Sequence, residues 1–208
     1  MSNSDEPAWA TGLEKPPAWR SEGAETLFES PWIRLTRHHA VAPTGHAADY
    51  AVVRFGNVAT GVLPVHDDGT VTLVGQQRFA LANYSWEMPE GGAPLGEDPF
   101  DGARRELAEE AGLQAAHWAP ALTMELSNSV SDEIARTWIA WGLSPVATAP
   151  DPTEVIAVVR VPFLDLLAEV GRGTVRDSLT VATAYRAYHM ALNGELPETL
   201  ARALLGRV

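Results

Sequence analysis

Cysteine is absent from this chain of 208 residues. Disulfides, thiolate catalysis and zinc sites with cysteine ligands are therefore excluded together. The chain also lacks any apolar run as long as a membrane span. Its first residues, 1–7, carry acids where a signal peptide carries bases, and no apolar stretch follows them. We expect a soluble protein that is not exported and resides in the cytoplasm.

Basic residues are few: 15 lysines and arginines stand against 27 aspartates and glutamates, which gives a formal net charge of -12. A field of this sign repels phosphate backbones and anionic lipid surfaces, so we expect no binding to nucleic acid or membranes. An anionic small-molecule substrate would need bound cations or a few well-placed arginines. The apolar fraction of 46% with 20% charged residues is typical of a folded globular protein.

The N-terminal residues differ in composition from the rest of the chain. Residues 1–23 are rich in Pro, Ser, Ala and Glu without clear periodicity, which predicts a loosely held arm. Residues 24–208 are expected to form one domain. Trp9 and Trp19 lie within the arm, and an indole left in water exposes a large apolar surface. We therefore expect these side chains to dock on the domain or on a second subunit, as in a homodimer.

Most of the domain has the patterns of β-strands separated by turns. The predicted strands cover residues 32–38, 50–55, 61–65, 71–79, 118–126, 135–143 and 155–161. Residues 66–69 end in Asp-Gly, a pair that accommodates the positive φ angles of a tight turn. This turn predicts a hairpin between the third and fourth of these strands.

A helix is predicted over residues 100–111, between the fourth and fifth strands. Phe100, Ala103 and Leu107 fall on one side of it together with Ala111, as in an amphipathic helix. Gly112 is expected to end this helix, because glycine readily takes the left-handed conformation found at helix ends.

Helices also take over at the C-terminus. Pro162 is expected to begin one that Gly171 ends, a second apolar stripe covers residues 181–192, and Pro197 opens a short last helix. Strands first, one helix inside and helices last predict an α+β fold, namely an α/β/α sandwich built on a mixed sheet.

Three glutamates near the end of the first predicted helix share one face. Glu106, Glu109 and Glu110 lie at spacings i, i+3 and i+4, so their carboxylates repel one another. They also lie near the negative end of the helix dipole, where carboxylates are disfavoured. A divalent cation would offset both penalties, because Mg²⁺ prefers hard oxygen ligands and takes few carboxylates besides water and phosphate. In an acidic chain the alternative is a solvated helix face.

Residues around this face fit the same interpretation. Gly91 and Gly92 allow the chain to approach the carboxylates closely and to expose backbone groups as ligands. Arg105 is expected to pair with Glu97 or Glu109 and so to hold the loop to the helix. Arg105 and Glu97 are therefore candidates for the catalytic machinery together with Glu109.

The segment as a whole resembles the Nudix box, Gly-x5-Glu-x7-Arg-Glu-aliphatic-x-Glu-Glu-x-Gly-aliphatic. It matches the box without an insertion at all nine specified positions: Gly91, Glu97, Arg105, Glu106, Leu107, Glu109, Glu110, Gly112 and Leu113. A chance match in a chain of this composition is expected on the order of once in a million. The solvated-face alternative does not account for the whole set.

Membership of this family would imply a fold, an activity and a cofactor. The implied fold is the Nudix sandwich, with the box as a loop-helix-loop that holds Mg²⁺ or Mn²⁺. By position, the resemblance assigns metal binding to Glu106 and Glu110, with Glu109 as an additional ligand and the backbone carbonyl of Glu90 as a further one. The implied activity is hydrolysis of the pyrophosphate bond of a nucleoside diphosphate joined to another group.

Residues before the box resemble the ADP-ribose pyrophosphatase branch of the family. Residues 76–79 read Gln-Gln-Arg-Phe, and residues 86–92 read Trp-Glu-Met-Pro-Glu-Gly-Gly, where that branch has Glu-Leu-Pro-Ala-Gly leading into the box. The resemblance implies ADP-ribose or a related nucleoside diphosphate sugar as the substrate. The candidates for substrate binding are Arg54, Arg78, Trp86, Glu87, Gly91 and Gly92.

Three of these candidates have alternative interpretations. Arg54 and Arg78 lie on strands leading toward the box and can bind a diphosphate through bidentate contacts, whereas the alternative is a strand arginine that faces water. Trp86 can stack on a base or cover the core, and we favour the core.

The general base is expected after the fifth strand. Residues 127–133 read Ser-Asn-Ser-Val-Ser-Asp-Glu, where the ADP-ribose branch has Ser-Pro-Gly-Phe-Ser-Asp-Glu. By that resemblance Glu133 is the candidate that removes a proton from the attacking water. Asp132 is its rival, and Glu109 or Glu110 takes the role in other branches.

Other functions fit the same residues. A GDP-mannose-like pyrophosphatase is the nearest enzymatic alternative, and dinucleoside polyphosphates or NADH are more distant substrates. A non-catalytic Nudix domain that senses a nucleotide is an alternative of another class. Such domains tend to lose box carboxylates, whereas this chain keeps all four.

Overall fold

The computed structural model describes residues 7–148, 153 and 155–207. The chain divides into two compact units, Met1–Arg54 and Phe55–Val208. The first unit holds a short 3-10 helix, Ala8–Ala10, and a three-stranded sheet in the order β1-β2-β3. These strands are β1 (Arg20–Glu29), β2 (Ile33–Val41) and β3 (Ala47–Phe55).

Strand β1 bears on the predicted N-terminal arm. It pairs with β2 from Arg20 onward, so the predicted boundary between residues 23 and 24 falls inside a strand. Residues 1–6 of the arm lie outside the described part of the chain. Trp19 contacts Tyr50 edge-on with ring centroids 5.3 Å apart, whereas Trp9 is 82% exposed. The assignment of residues 1–23 to an arm stays a prediction.

The second unit contains the remaining strands and the four α-helices of the described residues. The strands are β4 (Asn57–Pro64), β5 (Thr70–Arg78), β6 (Asn83–Glu87), β7 (Glu90–Pro94), β8 (Leu113–Glu125), β9 (Ile134–Pro145) and β10 (Ala157–Pro162). The helices are α1 (Pro99–Ala111), α2 (Phe163–Arg172), α3 (Ser178–Leu192) and α4 (Glu198–Leu204). No helix in the described part of the chain is both long enough and apolar enough to cross a membrane.

A mixed sheet forms the centre of this unit. Its strand order is β7-β4-β9-β8, with β4 parallel to β9 and the other neighbours antiparallel. Neighbouring residues of β4 point to opposite faces of the sheet. Val62 accordingly packs with Leu107 of α1, whereas Leu63 belongs to the larger core that includes residues of α2, α3 and α4. Helices therefore cover both faces, which confirms the predicted α/β/α sandwich.

A second sheet, in the order β10-β5-β6, is antiparallel throughout. The turn of residues 66–69 connects β4 to β5, but the predicted hairpin between these strands is wrong. They belong to different sheets, because β4 pairs with β7 and β9 while β5 pairs with β10 and β6, and they meet in one isolated antiparallel bridge, Val65 with Val71. In the turn, the N–H of Gly69 donates to the carbonyl of His66, and Gly69 has a φ of 78°. A β-carbon at Gly69 would also overlap the backbone of Ala203, so this turn needs glycine for two reasons.

Several element boundaries differ from the prediction. Strands β6 and β7 fall in a passage that the sequence pattern left without structure. Gly171 lies inside α2, and Gly173 ends that helix with a φ of 75°. Gly173 takes the left-handed conformation, and its N–H bonds to the last turn of the helix, so its position decides where the helix ends. Pro162 is the N-cap of α2 and not its first residue.

Candidate active site

Helix α1 carries the candidate site, and its sequence fixes both of its ends. Asp98 is the N-cap, and its Oδ1 accepts from the N–H of Phe100 at 3.0 Å. Gly112 ends the helix in the left-handed conformation, as predicted. In between, a β-carbon at Gly102 would lie 2.9 Å from that of Ala93, so glycine lets the helix lie close against β7.

The box carboxylates point at the start of β7. Glu110 is 4% exposed, and its Oε2 accepts from the backbone N–H of Glu90 at 2.9 Å. Glu106 has a side chain that is 12% exposed and lies against Gly91, where a β-carbon would overlap its carboxylate. One buried and one partly buried carboxylate thus contact adjacent residues of one strand.

Arg105 ties the helix to the next residue of β7. Its Nη2 donates to the carbonyl of Gly92 at 2.9 Å, and its Nη1 donates to Glu106 at 2.8 Å and Glu109 at 3.1 Å. Of the two predicted partners, Arg105 therefore pairs with Glu109. Glu97 makes a backbone hydrogen bond, in which its N–H donates to the carbonyl of Pro94 at 2.9 Å.

The donor atoms beside Gly91 suit a divalent cation. Glu106 and Glu110 supply hard carboxylate oxygens, and the carboxylate of Glu106 occupies the position that a β-carbon at Gly91 would take. Mg²⁺ takes one or two protein carboxylates and completes its shell with water and phosphate oxygens, so this set fits such an ion. Glu109 is turned toward Arg105.

A second group of acids surrounds Arg78. Its Nε donates to both carboxylate oxygens of Glu87, at 3.0 and 3.1 Å, and its Nη2 reaches Glu90 at 3.2 Å. Oxygens of Glu87, Glu90 and Asp177 lie within 4.8 Å of one another. Burial lowers the pKa of Arg78, but Glu87 and Glu90 outweigh it and raise that pKa, so the guanidinium stays charged. We interpret this group as an acidic cage that orients Arg78.

Glu90 takes two roles in this arrangement. Its N–H is bound to Glu110, while its side chain enters the acidic cage. Burial raises the pKa of Glu90 well above the ordinary value, and the nearby carboxylates of Asp177 and Glu87 raise it further. Its Oε2 is buried and has no hydrogen-bond partner within the described residues. Sequence reasoning assigned only the carbonyl of Glu90.

Glu133 directly precedes β9, at the end of a tight loop. The N–H of Leu126 donates to the carbonyl of Glu133 at 2.9 Å and closes the loop. The sheet register places Ala135 on one side of Ala59 and Gly92 on the other, so β9 and β7 are about 10 Å apart there. Gly92, Ala59 and Ala135 are thus level with one another across three strands, and Glu133 precedes Ala135 by two residues. Burial raises the pKa of Glu133.

The other predicted residues are placed as follows. Asp132 accepts from the backbone N–H of Phe55 at 3.0 Å. Trp86 packs against the larger core and contacts Tyr84 edge-on, with centroids 5.5 Å apart. Arg54 belongs to the first unit, where it helps to line a cavity of about 330 Å³. Its role in substrate binding stays a prediction.

Sequence reasoning missed two residues at the start of α3. Asp177 joins the acidic cage, and Thr180 accepts from the backbone N–H of Met88 at 2.9 Å. Both lie far along the chain from the box. The pattern that marks Asp177 in the sequence is that of a helix N-cap, which predicts a local role only.

We expect Gly91→Ala to lower kcat/KM about tenfold while the protein stays folded. The new methyl group would displace the carboxylate of Glu106, which is the flexible end of a side chain and can move at little cost. A shift of about 1 Å in a positioned group is enough for losses of this size. The measurement is steady-state hydrolysis together with the melting temperature. Gly171→Ala, which meets no atom within 4 Å, is the control.

Comparison with known proteins gives a consistent family. Residues 56–179 match the NUDIX domain model. An ADP-ribose pyrophosphatase from Mycobacterium tuberculosis is 31% identical over 163 residues, which cover 76% of this chain and 78% of that protein. An ADP-ribose pyrophosphatase from Bacillus subtilis is 30% identical over 174 residues, with 83% and 92% covered. A methanol dehydrogenase activator from Bacillus methanolicus is 27% identical over 159 residues, with 76% and 85% covered.

A solved structure extends the agreement to the fold. A crystal structure of an ADP compounds hydrolase superimposes with a TM-score of 0.79 and 19% identity, covering 94% of this chain and all of that one. The similarity at this level of identity is one of fold, and it confirms the sandwich predicted from the sequence.

Proposed function

The chain belongs to the NUDIX domain family and is a Nudix hydrolase related to ADP-ribose pyrophosphatases, and from this premise we propose that it cleaves the pyrophosphate bond of ADP-ribose or a related nucleoside diphosphate sugar. The products are a nucleoside monophosphate and a sugar phosphate. The observation that carries the proposal is the pair of carboxylates, the buried Glu110 and the partly buried Glu106, held against the start of β7 beside the oriented Arg78.

The site would hold Mg²⁺ or Mn²⁺ through Glu106 and Glu110, with the carbonyl of Glu90 as a backbone ligand and Glu109 as an additional carboxylate. Such a cation supplies neutralisation of the charge on the diphosphate oxygens. Charge neutralisation matters here because the protein has a net charge of -12 and otherwise repels an anionic substrate. Arg105 keeps Glu106 and the carbonyl of Gly92 in register with the helix.

Glu133 and Arg78 act directly on the reactants in this proposal. Water attacks one phosphorus, a new P–O bond forms, and the bond from that phosphorus to the bridging oxygen breaks. Glu133 accepts a proton from the attacking water, which requires its carboxylate to be ionised. Arg78 binds a phosphate oxygen through the part of its guanidinium that faces solvent, since its side chain is 36% exposed.

A substrate panel with Mg²⁺ tests the proposal. Purified protein is incubated with ADP-ribose, GDP-mannose, NADH and dinucleoside polyphosphates, and the products are identified by mass spectrometry. We expect AMP and ribose 5-phosphate from ADP-ribose, and none after EDTA is added. If ADP-ribose gives no AMP while another compound of the panel is cleaved, ADP-ribose is not the substrate and the cleaved compound takes its place. Tight binding of a nucleotide without any turnover would support a sensing domain instead.

We also propose that the protein is a homodimer. The first unit exposes large apolar side chains beyond what a monomer of this size needs: Trp9 at 82%, Phe28 at 54% and Trp32 at 73%. Light scattering of the purified protein should give twice the mass of 22.4 kDa. We expect Trp32→Ser with Phe28→Ser to shift it toward the monomer. A monomeric wild-type protein at micromolar concentration would contradict this proposal.

A further inference from the structure

Three consecutive residues, the two that connect β6 to β7 and the first residue of β7, are each held by a different element. The N–H of Met88 donates to Thr180 of α3 at 2.9 Å, and the carbonyl of Pro89 accepts from the N–H of Val62 in β4 at 3.0 Å. The N–H of Glu90 donates to Glu110 of α1 at 2.9 Å. We call Glu87–Gly91 the approach segment. It is fixed between the helices that cover the two faces of the sheet.

The contact with α3 lies in the interior of the protein. Thr180 and Met88 are both 0% exposed, so water does not replace the hydrogen bond if the hydroxyl is lost. The backbone of Thr180 is fixed in turn, because its N–H donates to Oδ2 of Asp177 at 2.7 Å. The hydroxyl is thus a defined point against which the approach segment is placed.

The approach segment carries both parts of the candidate site. Glu87 orients Arg78, while Glu90 and Gly91 lie against the box carboxylates Glu110 and Glu106. A displacement at Met88 is therefore transmitted to the oriented arginine on one side and to the cation ligands on the other. The box holds Glu90 through Glu110, whereas the hydrogen bond of the Met88 N–H comes from α3.

We propose that Thr180 is a positioning residue for hydrolysis, because its hydroxyl fixes the approach segment that carries the cation ligands and the cage of Arg78. Thr180 lies one residue beyond the part of the chain that matches the NUDIX model, residues 56–179. The inference rests on the proposed function for its effect on turnover. The role of Thr180 in fixing the position of the approach segment does not depend on which substrate the protein cleaves.

A neighbouring threonine provides a matched control. Thr183 also lies on α3, is 0% exposed and makes one buried side-chain hydrogen bond, to Thr137 of β9 at 2.9 Å. Thr180→Val and Thr183→Val therefore remove the same group at the same depth from the same helix. Only the first of them touches the approach segment.

The test combines kinetics with amide hydrogen exchange measured by NMR. In Thr180→Val we expect kcat for ADP-ribose to fall at least tenfold with a smaller change in KM, because misplaced groups lower the rate of the chemical step. We also expect the amide of Glu90, whose own partner Glu110 is intact, to exchange at least tenfold faster. Thr180→Ser should restore both, and Thr183→Val should change neither while lowering the melting temperature to a similar extent.

Two outcomes overturn the proposal. One is that Thr180→Val and Thr183→Val have the same kcat and the same exchange at Glu90. The other is that Thr180→Ser fails to restore the exchange although it folds. If the wild-type protein does not cleave ADP-ribose, the proposed substrate is wrong, while the exchange at Glu90 still decides whether Thr180 positions the segment.

Discussion

Replacing Glu106 and Glu110 together by glutamine is expected to lower kcat/KM about 10³-fold without unfolding the protein. Loss of cation binding removes several kcal/mol of charge stabilisation in the transition state, and about 4 kcal/mol corresponds to a thousandfold loss of rate. Folding is expected to survive, because glutamine keeps an oxygen that can accept from the N–H of Glu90. Neutralising these two carboxylates on one helix face also removes their mutual repulsion.

The control for this pair is Asp101→Asn on the same helix. Asp101 is exposed and pairs with Arg104 at 3.4 Å, so this change removes one charge from the helix without touching the site. The measurements are kcat/KM with Mg²⁺, the melting temperature, and titration of Mn²⁺ by calorimetry. Full activity in the double variant would rule out a cation site at Glu106 and Glu110, and with it the proposed function.

Glu133→Gln is expected to lower kcat by 10² to 10⁴, the range ordinarily supplied by a general base. The amide is of similar size and cannot accept the proton from water. The control is Glu125→Gln, an exposed glutamate near the end of β8. Asp132→Asn separates the rival base, since we expect it to disturb the hydrogen bond to Phe55 more than the chemistry. A larger loss in Asp132→Asn than in Glu133→Gln would assign the base to Asp132.

The pH profile gives a second measurement of the same role. Glu133 acts as a base only when ionised, so activity is lost as the pH falls through its pKa. Burial raises the pKa of Glu133, and the acid limb of kcat/KM should therefore lie at a higher pH than the titration of an ordinary glutamate. The limb should disappear in Glu133→Gln. A profile with the same acid limb in that variant would exclude Glu133 as the base.

The sequence allowed the fold class and the box helix to be predicted because both depend on local signals. Apolar periodicity and the glycine at position 112 define α1, and the Asp-Gly pair defines the turn before β5. Strand β7 was missed for the opposite reason. Its two glycines and its proline disfavour a strand, and it exists because β4 pairs with it over residues 90–94.

In the candidate site too, local sequence signals predict some residues, and others are placed by tertiary contacts. Spacing on a helix placed Glu106 and Glu110 on one face, and the structure brings both to the start of β7. No local pattern could assign Asp177 or Thr180 to the site, because each reaches it through tertiary contacts made by a helix at the far end of the chain. The partner of Arg105 outside the helix is likewise a backbone carbonyl, that of Gly92 in β7, which a sequence motif does not specify.

The parallel pairing of β4 with β9 constrains how the protein is made. Ala59 meets Ala135 in that ladder, and the whole box lies between them in the chain. During synthesis β4 can pair with β7 and receive α1 well before β9 leaves the ribosome, and until then its other edge is open. Closure of such distant pairs is slow compared with local hairpins and helices. A nascent chain that ends within β8 therefore carries β4 with one unprotected edge, which favours its capture by chaperones.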